Sequence, residues 1–494
     1  MEELLIGIDI GTTHLKSALF DADLQLLQMV SGTMPRTPAG YDPAELRMRL
    51  HAQLQSLSRH IGGGELLGIG IASMAETGLL LSPEGEEATP LIPWFDRSSE
   101  KESEFLTEQF HHADFFASRG IRPSYKTAVA KLLHLSQTSP GLVRDGCRWL
   151  SAADYIIYCL TGAIATDFSL ANRTYALSLP ERSWDRDWLE EIGLPAGLFP
   201  ELLQAGTPAG TLSRDAAAAS GLPAGVPVIP CGHDHVCGSL GAGAARPGTI
   251  FSSMGTAEAI TGIFSTDASN IASGLQEEQF RSNISYGLHV LPDTLYWMSG
   301  CSASGGSVEW VMDMLLSEHS YERFLELLAT ASPGPTSILY FPYLNGRSGT
   351  AGNTAVTGGF LGLTVSHTKA DIAKAVLEGT TYEIELIRQR AEQAVGTVYE
   401  EVVTAGGGTR NRLWMQIKSS VMAADILVPA CRETTLCGAA MLAALAAGIF
   451  PNPEEAMRPV RERAAERYSP DAAESELYRR LPLARYRELQ QLFD

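Results

Sequence analysis

The sequence predicts an α/β protein built from two halves of similar design, and three observations carry that expectation. The stretch "LLIGIDIGTTHLKSALFDADLQLLQ" (4–28) reads as an apolar strand, a Gly-Thr-Thr turn and an alternating strand. After the turn at Asp21-Ala22-Asp23 a further strand follows. "GTIFSSMGTAEAITGIFS" (248–265) repeats the layout of strand, Gly-Thr, strand. "PVIPCGHDHVCGSLGAG" (227–243) and "EVVTAGGGTRNRLWMQIKSS" (401–420) each run from an apolar strand through glycines into a helical pattern. A hairpin followed much later by a strand–turn–helix unit therefore occurs twice, which is the mark of duplication. The halves join near 243–250, where "GAARPGT" carries the Pro-Gly of a connector.

The remaining elements follow from local pattern. Strands are expected at "LLGIGIAS" (66–73) and "PLIPWFD" (90–96), and helices at 151–160, 369–393 and 412–424. "RDAAAASGLPAG" (214–225) predicts a short helix closed by glycine. The domain division is 1–245, 246–450 and a charged helical segment, 451–494, expected to lie solvated on the surface.

Composition narrows the function. The 494 residues are 45% hydrophobic and 19% charged, as in ordinary globular chains. Lys and Arg total 37 against 57 Asp and Glu, a formal charge of −20. So acidic a surface disfavours nucleic acid and anionic membranes as partners. "MEELLIGIDIG" is acidic and then strand-like, unlike a signal peptide, and "CGAAMLAALAAGIF" (437–450) is too short to span a bilayer. Seven cysteines without a CxxC pair predict a reducing, cytoplasmic setting and no disulfide framework.

The glycine turns are candidate phosphate sites. "DIGTTHLKS" (9–17) lacks the Walker A glycine where Leu15 stands. A hairpin clamp remains, in which Gly11 leaves the backbone uncovered and the N–H groups of Thr12 and Thr13 meet phosphate oxygens. Asp9 would then face an anion, which is unfavourable unless Mg²⁺ stands between them. A tight turn with an Asp at its base is the plain alternative. The second copy, with Gly255 and Thr256 in "SMGTAE" (253–258), favours phosphate. "TAGGGTRN" (404–411) offers Gly407, Gly408 and Asn411 to a flat base or its ribose, or is simply a flexible strand–helix turn.

Together "IGIDIGTTHLKSALFD", "GHDHVCGSLGAG", "FSSMGTAEA" and "TAGGGTRNRLWMQIKSSVMAADI", in this order, resemble the FGGY family of carbohydrate kinases. "IPWFDRSSE", "SAADYIIYCLTGAIATDFSLANRTYALSL" and "FPYLNGRSGT" fit as well, so the likeness runs from Leu4 to about Phe450. It implies two actin-like (ribonuclease H-like) domains closing on an interdomain cleft, with sugar mostly on the first and Mg·ATP mostly on the second. Position by position, Asp9 corresponds to the residue associated with Mg²⁺, through water. Gly11, Thr12, Thr13, Gly255 and Thr256 correspond to phosphate contacts. Gly305 and Gly306 correspond to a nucleotide-side turn, and Gly407, Gly408 and Asn411 to adenosine contacts.

Asp234 matches the family's general base, a carboxylate that takes the proton of the attacking hydroxyl. A zinc site is the rival reading of this stretch. Cys231, His233, His235 and Cys237 share one parity, and alternate strand residues stand roughly 6–7 Å apart. An extended segment cannot bring all four onto one ion, whereas Asp234, of opposite parity, would face the cleft alone.

For the acceptor pocket, Ala75 and Glu76 stand where glycerol kinase has an Arg-Glu pair, and xylulokinases a Met-His pair. Glu76 would hold sugar hydroxyls, or be a solvated loop-end charge. Trp94, Asp96 and Arg97 would supply an aromatic face and charged groups, or be core and surface pair. Arg122, Tyr125 and Lys126 lie near the expected pocket, and basic groups there would admit a sugar acid. Lys131 reads as structural. The resulting expectation is ATP-dependent phosphorylation of a sugar, sugar acid or polyol, a pentulose such as xylulose leading. The alternative is an actin-like ATPase without sugar kinase activity. The oligomeric state is left open, a homodimer included.

Overall fold

The computed structural model describes residues 2–265, 267–347, 356–463 and 466–491, so the last residues of "FPYLNGRSGT" (341–350) lie outside the described part. In the first half, strands β1 (Glu3–Ile10), β2 (His14–Asp21), β3 (Leu26–Thr33), β4 (Glu65–Ser73), β5 (Gly210–Thr211) and β6 (Pro227–His233) form one sheet. Their order is β5-β6-β4-β1-β2-β3, with β1, β4 and β6 parallel. The register aligns Asp9 with Ala72, and Gly232 with that same Ala72, so these strands end side by side. Such a row of carboxyl ends is where open α/β sheets bind ligands.

The second sheet contains β7 (Thr249–Met254), β8 (Glu258–Ser265), β9 (Ser285–Leu288), β10 (Leu295–Cys301), β11 (Glu401–Ala405), β12 (Asp425–Val428) and β13 (Glu466–Tyr468). Its order is β9-β10-β8-β7-β11-β12-β13. Both Gly-Thr hairpins form as the sequence predicts, β1–β2 and β7–β8 being antiparallel.

The helices are set by their ends. Helix α1 (Ala152–Thr161) starts on a capping box, Ser151 with Asp154, and stops at Gly162 in the left-handed region. Helix α2 (Arg214–Ser220) ends on Gly221 in the same way. Helix α3 (Asp234–Gly241) begins where β6 ends. Helix α4 (Gly305–Leu315) precedes the long α5 (Lys369–Val395), which is capped by Thr368 with Asp371 and is buried along most of its length. Asn411 caps α6 (Arg412–Met422), and α7 (Thr434–Ala446) is almost wholly buried.

Two expectations change. Residues 90–96 form no strand: Leu91 and Ile92 make only single bridges, to Tyr41 and Gly78. Pro90 and Pro93 remove the amide donors a ladder needs. The segment 451–494 is not simply a solvated helical layer. It supplies β13 at the sheet edge, and its helices α8 (Ala472–Tyr478) and α9 (Ala484–Gln490) bury Tyr478 and Tyr486. The Tyr478 hydroxyl donates to Glu378 (3.1 Å), and that of Tyr486 to Glu383 (3.0 Å), both on α5. Charge density along the sequence hid these tyrosines.

Helix α7, from the second half of the chain, lies on the first sheet. A Cβ on Gly7 or Gly70 would stand 2.2 or 2.1 Å from the carbonyl oxygens of Leu436 and Ala439. A Cβ on Gly241 of α3 would stand 2.0 Å from that of Thr434. In an exposed helix Gly→Ala gains about 1 kcal/mol. Here the added methyl meets backbone, so Gly241→Ala should instead lose about 1–3 kcal/mol, as overpacked cores do. A lowered urea midpoint at unchanged slope is the expected result, and a raised midpoint would contradict this packing.

Candidate active site

The β1–β2 turn leaves two donors free. Among the described residues, the amide N–H groups of Thr12 and Thr13 have no protein acceptor, whereas the N–H of Gly11 is taken by the His14 carbonyl (3.0 Å). The Thr12 hydroxyl accepts from the indole of Trp94 (3.0 Å), and its carbonyl accepts from Tyr41 (2.8 Å). Thr12 therefore joins the turn to the expected sugar pocket, a link no sequence pattern carries.

Asp9 stands at the end of β1, opposite Lys16. Its Oδ1 is shut from solvent without a partner. Burial, then the nearby charge of Asp234, pushes its carboxyl up to about 7, against the pull of Lys16. Lys16 itself pairs with Glu433 at 2.7 Å, tying the two halves of the chain together beside Asp9. A desolvated carboxylate next to another, with one oxygen unpartnered, suits a divalent cation.

Asp234 opens α3. Burial opposes its ionisation, but the charges of His235 and His233 and their hydrogen bonds outweigh it and hold the carboxyl at about 2. Oδ1 lies 3.1 Å from Nε2 of His233 and accepts the backbone N–H of His235 at 2.7 Å. The start of a helix also favours an anion. Contrary to strand parity, Asp234 does not stand alone. The chain switches from strand to helix between 233 and 234, which brings the His233 and His235 rings to a centroid distance of 5.4 Å. Cys231 and Cys237 turn away, their thiols donating to the carbonyls of Ile229 (3.3 Å) and Thr435 (3.6 Å).

Glu76 follows the end of β4 in the left-handed region, φ 60°, unusual for a residue with a side chain. It is not a solvated loop charge: its carboxylate pairs with Arg173, whose Nε donates to Oε1 at 3.0 Å. Burial would raise its pKa, but Arg173, Lys126 and His233 lower it below the usual value. Arg173 was not singled out in the sequence. It follows a short helix, Phe168–Asn172, capped by Asp167. Its Nη1 is buried without a partner. Ala75 is buried beside Glu76. Lys131 donates to the carbonyl of Pro93 (2.9 Å) and to that of Glu76, the structural part expected of it.

The ammonium of Lys126 lies 5.1 Å from the Trp94 ring centre, so Trp94 and Lys126 line the same wall as Glu76. Tyr125 is half-buried there, near enough to Glu76 to feel its charge. Asp96 and Arg97 lie at the edge of this group, the Arg97 guanidinium 5.3 Å from the Tyr125 ring centre and Asp96 close enough to Lys131 to act on its charge. Asp96 accepts the N–H of Ser98 (3.0 Å), while Arg97, with 58% of its side chain exposed, pairs with Glu100. Arg122 packs on Phe280, 4.8 Å from its ring centre, and leaves the pocket.

On the second sheet, Gly255 and Thr256 are exposed at the β7–β8 turn. The N–H groups of Gly305 and Gly306 donate to the carbonyls of Gly255 (3.2 Å) and Thr256 (2.9 Å), so the two turns form one surface. A Cβ at Gly305 would stand 2.3 Å from the Gly255 carbonyl, which is why glycine is needed there. Beneath lies a buried pair the sequence did not reveal, Glu258 with Lys418, closed by the hydroxyls of Ser252 (2.7 Å) and Ser304 (3.0 Å). Gly407 has open space above it, and Gly408 packs on Met254. Asn411 is fully buried, its Oδ1 accepting the N–H of Trp414 (3.1 Å), with only Nδ2 unpartnered.

Two α/β sheets with matching Gly-Thr hairpins have the architecture of the actin-like (ribonuclease H-like) kinases. A ligand-bound xylulose kinase from Lactobacillus acidophilus has this fold, with TM-score 0.90 at 20% identity, over 99% of this chain and 98% of that one. A gluconate kinase from the same organism matches at 0.88 and 20% identity, over 100% and 98%. The chain matches the N-terminal domain of the FGGY family of carbohydrate kinases over residues 4–241 and the C-terminal domain over 273–447. It belongs to that family, and is a carbohydrate kinase, a phosphotransferase with an alcohol group as acceptor and ATP as co-substrate. A xylulose kinase of Bacillus subtilis (strain 168) is 27% identical over 492 residues, covering 97% of this chain and 95% of that one. An L-fuculokinase of Escherichia coli (strain K12) is 25% identical over 464 residues, covering 92% and 95%. No helix among the described residues is long and apolar enough to cross a membrane.

The Glu76–Arg173 pair gives a test of this geometry. Arg173→Leu should cost about 3–5 kcal/mol of unfolding free energy, because it strands a buried carboxylate. Adding Glu76→Leu should recover much of that loss. A single variant as stable as the parent would mean the pair is not buried as described.

Proposed function

We propose that the protein transfers the γ-phosphoryl group of ATP to a hydroxyl of a sugar, a pentulose such as xylulose being the leading acceptor, with Asp234 as general base. The observation that supports this most is the ionised, half-buried carboxylate of Asp234 near Asp9, whose strand leads into the Thr12–Thr13 turn with its free amides. The proton of the acceptor hydroxyl passes to an Asp234 oxygen as that hydroxyl bonds to phosphorus. The bond from phosphorus to the β-phosphate oxygen breaks, and ADP leaves with the electron pair.

Other residues position and neutralise. The amides of Thr12 and Thr13, with Gly11 keeping the turn bare, and the exposed Gly255–Thr256 turn would hold phosphate oxygens. Gly305 and Gly306 would support that second turn. Gly407 and Gly408 would lie under the base, with the unpartnered Nδ2 of Asn411 beside them. Asp9 would hold Mg²⁺ through water, the ion supplying positive charge against the triphosphate. Ala75, Glu76, Trp94 and Tyr125 would line the sugar, with Arg173 fixing Glu76. In this reading residues 1–245 mainly hold the sugar and 246–450 mainly the nucleotide. A pentulose fits the names of relatives such as the Bacillus subtilis xylulose kinase.

Asp234→Asn should lower acceptor-dependent ADP release by about 10²–10⁴-fold, the usual worth of a general base, while ATP affinity stays within about twofold. Retained turnover would remove the assignment. Assaying ADP release with ketoses, aldonates and polyols identifies the acceptor. Without an acceptor the rate should be near zero; an equal rate without one would favour the plain ATPase.

The pH response follows from the two imidazoles. Asp234 titrates below the ordinary carboxylate value, so its ionised form is lost only as pH falls towards about 2. In His233→Gln/His235→Gln the imidazole charges are gone and only the backbone N–H of residue 235 and the helix start still oppose burial, so the acid limb of kcat/KM should move to higher pH. A profile that does not move would show that the imidazoles do not set this carboxylate.

A further inference from the structure

We infer that His233, Asp234 and His235 form a site for a borderline-soft divalent ion such as Zn²⁺, and that filling it stops phosphoryl transfer. The inhibitory half rests on Asp234 being the base; the binding half does not. One ligand atom from each residue lies within 4.8 Å of the others, and His233 Nε2 is already 3.1 Å from Asp234 Oδ1. Ligands about 2.0–2.1 Å from a tetrahedral zinc stand about 3.3 Å from one another. One pair therefore has the needed spacing, and the His235 ligand atom lies within 4.8 Å of both. Nδ1 of His233 has no protein partner, so no bond through that nitrogen holds the ring in a competing orientation. Asp234 and His235 are half-buried, which leaves a route to solvent.

The donor set decides the ion. Two imidazoles and one carboxylate suit zinc, cobalt or nickel, and leave coordination positions for water. Mg²⁺ prefers oxygen ligands and keeps several waters, so it has little reason to choose the imidazoles over Asp9 and the triphosphate. The two cysteines that flank the cluster in sequence contribute nothing, since their thiols point to the carbonyls of Ile229 and Thr435. An ion held here draws on the negative charge of the Asp234 carboxylate and so weakens it as the acceptor of the hydroxyl proton. The kinase would thereby sense excess transition metal through its own base.

The test uses the full chain in chelator-treated buffer. Co²⁺ is titrated without nucleotide and followed by its visible absorption, with Zn²⁺ as competitor. One ion per chain should bind, and His235→Gln and His233→Gln should each weaken it at least tenfold, while His60→Gln, an exposed site elsewhere, should not. Thermal unfolding of each variant establishes that it is folded. In parallel, Zn²⁺ is titrated into the kinase assay at fixed excess Mg²⁺, each curve being scaled to its own zinc-free rate. Half-inhibition should shift at least tenfold upward in His235→Gln. Absence of Co²⁺ binding, or binding untouched in both folded variants, would overturn the site. A filled site with an undiminished rate would overturn the inhibitory half, and Asp234→Asn then tells separately whether the base assignment also fails.

Discussion

Backbone-to-backbone contact between helix α7 and the first half of the chain is the constraint on which the site depends. Gly7 and Gly70 clear the sheet surface, and Gly241 clears α3, so that carbonyls of α7 lie where side chains would otherwise stand. On the other side Gly438 performs the same service, since a Cβ there would meet the Cys237 carbonyl at 2.1 Å. Close contact of this kind tolerates no added volume, because interiors are packed as densely as crystals. It also fixes α3 in place: the Thr435 hydroxyl donates to the Asp234 carbonyl at 3.2 Å. The position of one carboxylate is thus set by glycines on four different elements.

Given that placement, environment separates the two carboxylates. Asp9 is raised by burial and by its neighbour, whereas Asp234 is lowered by two imidazoles and by the backbone N–H of His235. Acids with pKa values driven apart are a recurring sign of divided roles. Glu76 is a third case, buried yet kept ionised by Arg173. Three carboxylates are therefore held in three different electrostatic environments.

Much of this was legible in the sequence. Both Gly-Thr hairpins and the glycine turns follow from local pattern, because turn chemistry and strand alternation are short-range, whereas the role expected of Asp234 came from the family resemblance. The long helix α5 likewise announces itself through Thr368 and Asp371 at its start. Long-range pairing was not legible. Arg173 meets Glu76 across 97 residues, and Lys418 meets Glu258 across 160. Parity failed at 233–235 because it assumes one conformation, and the chain changes from strand to helix there. Asn411 and Arg97 also carry bonds that residue type alone does not announce, to the N–H of Trp414 in one case and to Glu100 in the other.

The lodging of α7 on the first sheet also has a consequence for biosynthesis. A ribosome completes strands β1–β6 and α3 long before it reaches residues 434–446, at ordinary elongation rates roughly 10–40 s earlier. Through that interval the glycine-lined apolar face has no native cover, and the nascent amino-terminal half is exposed to wrong partners. Chaperone demand during translation should therefore be concentrated on that face.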